Sequence, residues 1–278
     1  MTGRLDQWLC WQKVRGDPMN IVCIPGWGMK ADIFAPLLDS LSLRGNATVV
    51  EWKEIKTVHC FRKRAEQVLH ERATVIGWSL GSLVALELAH AYPERVSRLI
   101  LIGGTSRFIA DDGYEAGWHP RIVKRMKTKL QVRPADTIAA FLASLWSKSE
   151  KGDISEFFYR DRVEELLIGL DYLIEADARP FLADISAPML IVHGEQDAIC
   201  PPAAARYIVE RAPSAIQSHD ARIRTALFGA RGDHSYLPLP IDPYDPLLRR
   251  GFFYGFGRCL ADPRKWFGRT TFPLDSVP

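Results

Sequence analysis

Thr74-Val75-Ile76-Gly77-Trp78-Ser79-Leu80-Gly81-Ser82-Leu83-Val84-Ala85 reads as a strand, a sharp turn and a helix. The β-branched run at its start suits a buried strand, and the apolar spacing from Leu80 to Tyr92 suits a helix laid against it. Ser79 sits in the turn with glycine on either side, at 77 and 81, where the bend leaves room only for small residues. Such a bend holds the hydroxyl at the sheet edge, above a helix amino terminus whose free amides favour developing negative charge. A serine that only caps a helix is the bland alternative; the strand-turn-helix setting favours a nucleophile.

Around this stretch, apolar runs recur at the spacing of strand and helix in alternation. The candidate strands are Trp8–Val14, Asn20–Pro25, Ala47–Trp52, Thr74–Trp78, Leu99–Gly103 and Met189–His193, with helical patterns at Ala31–Leu43, Phe61–Arg72 and Leu80–Tyr92 between them. Alternation of this kind predicts an α/β fold, a mostly parallel central sheet with helices on both faces joined by right-handed crossovers. The rhythm breaks after Gly104. Helical patterns at Pro120–Gln131, Ala135–Ser147 and Ser155–Ile174 follow without an intervening strand, which predicts an insertion lying over the sheet as a lid. The expected organisation is a first part of the core at 1–106, a helical lid at 107–186, and a second part of the core at 187–278 with an atypical C-terminal tail. Proline density around 238–246 argues against a regular helix there.

At 278 residues and 47% hydrophobic content the chain can bury a sizeable core. A net charge of +3 is too small to imply nucleic-acid binding. The amino terminus lacks the pattern of a secretory signal, and no apolar run is long enough to span a membrane. Five scattered cysteines, an odd number without metal-ligand spacing, fit a reducing cytoplasm and no metal site.

A Gly-x-Ser-x-Gly sequence in this setting resembles the nucleophile turn of the α/β-hydrolases, whose fold and chemistry the chain is then expected to share. Cys23-Ile24-Pro25-Gly26-Trp27-Gly28 follows the strand beside the nucleophile strand, and a glycine-rich loop there can aim a backbone amide at a carbonyl oxygen. The expected oxyanion donors are the amides of Trp27 and Leu80, against the alternative of an ordinary turn. A serine needs a base and a group that orients it. In chain order the acid falls on Asp197, at the end of the Met189–His193 strand, with Glu195 as its nearest rival. Two histidines follow. His234 comes after the apolar stretch Thr225–Phe228, read as the last strand, whereas His219 precedes that stretch and would lie at the wrong end. His234 is therefore the expected base. In the lid, Arg121, Lys124, Arg125, Lys127, Lys129 and Arg133 form a run without an intervening acid. A solvated helix face accounts for it, and so does a dock for an acidic partner.

Gly26-Trp27-Gly28, Gly77-Trp78-Ser79-Leu80-Gly81 and Phe141-Leu142-Ala143 resemble the pimeloyl-acyl-carrier-protein methyl ester esterases. The likeness extends through Gly169-Leu170-Asp171-Tyr172-Leu173 and Asp177-Ala178-Arg179 to Leu182, Ile185, Pro188 and Gly194, over roughly residues 20 to 212. The resemblance implies cofactor-independent hydrolysis, in biotin synthesis, of the methyl ester of pimeloyl on its carrier protein. Ser79 would attack, with Asp197 and His234 completing the triad. It further implies that Phe141 and Leu145 line the acyl pocket, and that Arg121, Lys124 and Arg125 meet the acidic carrier protein. The chain departs from the family at Pro25, where histidine is usual, and after Trp52, where Glu54-Ile55-Lys56 replaces a glycine-rich loop. It departs again at Gly232-Asp233-His234-Ser235-Tyr236 and in the tail beyond. Competing readings are a general short-acyl carboxylesterase or thioesterase, and a non-catalytic hydrolase-fold binding module that lacks a working base.

Overall fold

A computed structural model describes residues 20–40, 43–146 and 153–219. Its centre is a six-stranded sheet in the order β2-β1-β3-β4-β5-β6. The strands are β1 (Ile21–Ile24), β2 (Ala47–Val49), β3 (Ala73–Trp78), β4 (Val96–Ile102), β5 (Met189–His193) and β6 (Ala215–His219). Every neighbouring pair is parallel. β1, β3 and β5 are apolar almost throughout because parallel strands are covered on both faces. The chain leaves β1 toward β2 on one side and returns to β3 on the other. The carboxyl ends of β1 and β3 therefore flank a switch point, where a crevice opens between diverging loops.

The helices are α1 (Ala35–Ser40), α2 (His59–Glu66), α3 (Leu80–Ala91), α4 (Pro120–Val132), α5 (Pro134–Ser144), α6 (Val163–Glu175) and α7 (Pro202–Arg211). α3 is buried along most of its length, which suits a helix without a polar face. α4, α5 and α6 form the insertion between β4 and β5, and α4 packs against both of the others. Among the described residues no helix is long and apolar enough to cross a membrane.

Most of the expected elements are present with modest shifts of their ends. The second strand stops at Val49, where a strand to Trp52 is expected; one more ladder bond joins Val50 N to Cys23 O at 2.8 Å, and then the chain turns away. The helix expected over Ser155–Ile174 is broken. Phe158 is drawn into the core at 2% exposure, and its neighbours pair antiparallel with the loop after β1, through Lys30 N to Phe157 O at 2.7 Å and Tyr159 N to Gly28 O at 2.8 Å. Those bonds use backbone groups that a continuous helix would need for itself. β6 and α7 are elements that the sequence reading omits. Trp8–Val14 and Thr225–Phe228 lie outside the described residues, as does the tail.

Candidate active site

Ser79 occupies the bend between β3 and α3 with φ 54° and ψ −116°. A side chain in this region is strained, and it persists only where its surroundings over-determine it. Here the constraints are visible. Ser79 N donates to Ile102 O of β4 at 3.0 Å, and Ser82 N donates to Ser79 O at 2.8 Å. Ser82 Oγ closes the bend by donating to Gly77 O at 2.9 Å. A Cβ on Gly77 would collide with the Gly81 carbonyl, and one on Gly81 with that of Ile24. The two glycines let α3 start directly over the ends of β1 and β3. Leu80 is the first residue of α3, so its amide is one of the helix's orphan donors.

The loop Pro25-Gly26-Trp27-Gly28 leaves β1 beside this bend, and a Cβ placed on Gly26 would stand 3.5 Å from Ser79 Cβ. Trp27 is buried, its indole Nε1 donating to Leu166 O of α6 at 2.8 Å. Its ring meets Phe141 of α5 edge-on with centroids 4.8 Å apart, and Phe158 at 5.5 Å.

Asp197 follows β5. Its Oδ1 accepts from Ile199 N and Cys200 N, both at 2.9 Å, and its own amide donates to Gly194 O at 3.2 Å. This turn is tied down by His193, whose Nε2 lies 2.6 Å from Cys200 O and must therefore carry the proton. Oδ2 lies beside the end of β4. Gly103, at φ 50°, leaves it room, since a Cβ there would come within 3.2 Å of that oxygen. Ser79, Trp27 and Asp197 line one cleft, whereas Glu195 is exposed. Phe141, Leu145, Trp146 and Ile154 wall its apolar side.

His234 lies outside the described residues. His219 requires a correction, because the strand is Ala215–His219 and His219 ends it, opposite His193 in register. It stands at the carboxyl edge of the sheet, not at the wrong end. Distance argues against it instead. β6 is three strands from β3, about 14 Å at ~4.8 Å per strand, more than an imidazole and one hydrogen bond can span. The missed strand has only Ala215 and Ile216 as its apolar signal, followed by Gln217-Ser218-His219, whereas Thr225-Ala226-Leu227-Phe228 is the more apolar run.

On α4 the side chains of Arg121, Lys124 and Arg125 are exposed. Lys127, on the same helix, is ion-paired with Asp171 of α6. Ile122 and Val132 on the same helix are 49% and 72% exposed. At the base of the insertion, Arg179 donates to Asp111 at 2.8 and 2.7 Å and to Asp177 at 2.8 and 2.7 Å. Arg107 reaches Asp177 at 3.2 Å. The Arg179 hydrogen bonds hold the Asp111 carboxyl below its ordinary range. At Asp177 burial opposes the charge, but the Arg179 hydrogen bonds outweigh it and the shift is also downward.

Residues 55–221 match the family model of the alpha/beta hydrolase fold. Similar curated proteins include the pimeloyl-[acyl-carrier protein] methyl ester esterase of Vibrio campbellii, 30% identical over 75% of this chain and 88% of that protein. The enzyme of the same name from Pectobacterium carotovorum is 32% identical over 69% and 82%. Among solved structures, an esterase from Exiguobacterium antarcticum superposes with TM-score 0.63 at 20% identity, covering 73% of this chain and 84% of its own. The enol-lactonase from Burkholderia xenovorans superposes with TM-score 0.62 at 19% identity, covering 77% and 89%.

Proposed function

The chain belongs to the α/β-hydrolase family and is a carboxylic ester hydrolase, and from that premise we propose that it uses Ser79 to hydrolyse the methyl ester of pimeloyl-[acyl-carrier protein] in biotin synthesis. The observation that carries this reading is the strained Ser79, set between the loop of Trp27 and the carboxylate of Asp197 in a single cleft. The relatives at about 30% identity supply the substrate.

In this reading Ser79 Oγ attacks the ester carbonyl while His234 takes its proton, with Asp197 orienting the imidazole. The tetrahedral oxyanion is met by the amides of Trp27 and Leu80. Collapse expels methanol, protonated by the histidine, and leaves an acyl group on Ser79. Water activated by the same base then releases the free carboxylate and restores the serine. No metal or organic cofactor enters these steps. The apolar wall of Phe141 and Leu145 suits an aliphatic acyl chain. Arg121, Lys124 and Arg125 give α4 of the insertion an exposed positive face that suits an acidic carrier protein.

The test is turnover of methyl pimeloyl carrier protein by wild type and by Ser79→Ala, with labelling of Ser79 by a fluorophosphonate. Ser79→Ala should lose at least about a thousandfold in kcat while its circular dichroism stays unchanged. Turnover of short soluble esters without that of the carrier-protein ester would favour a general esterase. Failure of wild type to label would favour a binding module.

A further inference from the structure

The carbonyl of Gly26 and the amide of Trp27 belong to one peptide unit. Such a unit is planar and, with no cis bond among the described residues, its C=O and N–H point in opposite directions. Whatever fixes the Gly26 carbonyl therefore aims the Trp27 amide. Two donors fix it: Met29 N at 3.2 Å and the indole Nε1 of Trp52 at 3.1 Å. The same indole lies 3.3 Å from Pro25 O. Trp52 is 3% exposed and is locked by an edge-on contact with Phe61, centroids 5.0 Å apart. Its own carbonyl accepts from Arg162 at 3.0 Å. Gly26 and Trp27 line the cleft with Ser79; Trp52 lies behind them and is not among the lining residues.

We propose that Trp52 is a positioning residue for the oxyanion site, its indole N–H holding the Gly26–Trp27 peptide so that the Trp27 amide faces the ester oxygen at Ser79. A donor on the carbonyl also polarises the peptide and strengthens its N–H as a donor, by about 10 to 30% for each bond. The assignment rests on the Ser79 esterase reading above.

Two replacements test it. Trp52→Phe removes the N–H and part of the ring; benzothienylalanine incorporated at position 52 removes only the N–H and keeps the shape, so it decides the matter if Trp52→Phe does not fold. In full-length enzyme with a soluble methyl ester, kcat should fall about tenfold, less than the hundred- to thousandfold that follows outright removal of an oxyanion donor. KM should stay within about twofold. Affinity for phenylboronic acid, whose tetrahedral adduct on the serine mimics the intermediate, should weaken in parallel with kcat. Wild-type kcat and boronate affinity in the folded isostere overturn the proposal. So does a loss confined to KM and thermal midpoint, which would make Trp52 a packing residue alone. If wild type shows no Ser79-dependent turnover, the esterase reading itself fails and takes this proposal with it.

Discussion

A serine at φ 54° costs about 1 to 3 kcal/mol relative to relaxed backbone, and the surrounding hydrogen bonds and glycine contacts hold it there. The pattern Gly77-Trp78-Ser79-Leu80-Gly81 makes that bend legible in sequence because only glycine fits both close approaches. Asp197 is legible for a similar reason, as the carboxylate on the turn after an apolar strand. The histidine is less so, since its place depends on where the last strand lies. With β6 at Ala215–His219, His219 is fixed to the strand beside His193, whereas His234 stands fifteen residues further along the sequence. His234→Ala should therefore lose esterase activity to the level of Ser79→Ala, and His219→Ala should stay within about threefold of wild type. Unchanged hydrolysis in His234→Ala would mean that another base operates.

Strands packed on both faces announce themselves as apolar runs, which is why β1, β3 and β5 were readable at nearly their true limits. β6 was not, being half polar, and the expected helix over Ser155–Ile174 hid the contact that breaks it, because Phe158 gives the same apolar signal whether it faces a helix neighbour or the core. The segments entering and leaving the insertion are joined by charge. Asp111 and Asp177 both titrate below their ordinary range in the folded chain, so their contribution to stability is complete above the unfolded carboxylate value of about 3.9 and is lost as pH falls through the lower folded values. Acidification from about pH 7 to about pH 3 should lower the urea midpoint of wild type more than that of an Asp111→Asn, Asp177→Asn double variant. Arg179→Ala should lower the midpoint at neutral pH and flatten the same dependence. Equal acid sensitivity in wild type and the double variant would place the titrating groups elsewhere.

Taken together, the sheet puts the carboxyl ends of β1, β3 and β5 in one row, and the insertion sets an apolar wall beside Ser79 and carries an exposed cationic face on α4. The wall was foreseeable only through family likeness, because periodicity places Phe141 and Leu145 on a helix without saying what the helix covers. Exposure of Arg121, Lys124 and Arg125 gives a prediction with a built-in control. Reversing all three to glutamate should slow hydrolysis of the carrier-protein ester about tenfold or more, with the wild-type rate itself falling as salt is raised. Small soluble esters should be hydrolysed at the wild-type rate. Equal loss on both substrates would point to a disturbed wall. Lys30 N–Phe157 O and Tyr159 N–Gly28 O bind the insertion to the backbone on either side of Met29, two residues past Trp27. The wall of the cleft and the loop beside Ser79 therefore share one set of hydrogen bonds, and a substitution that loosens either should be felt in both.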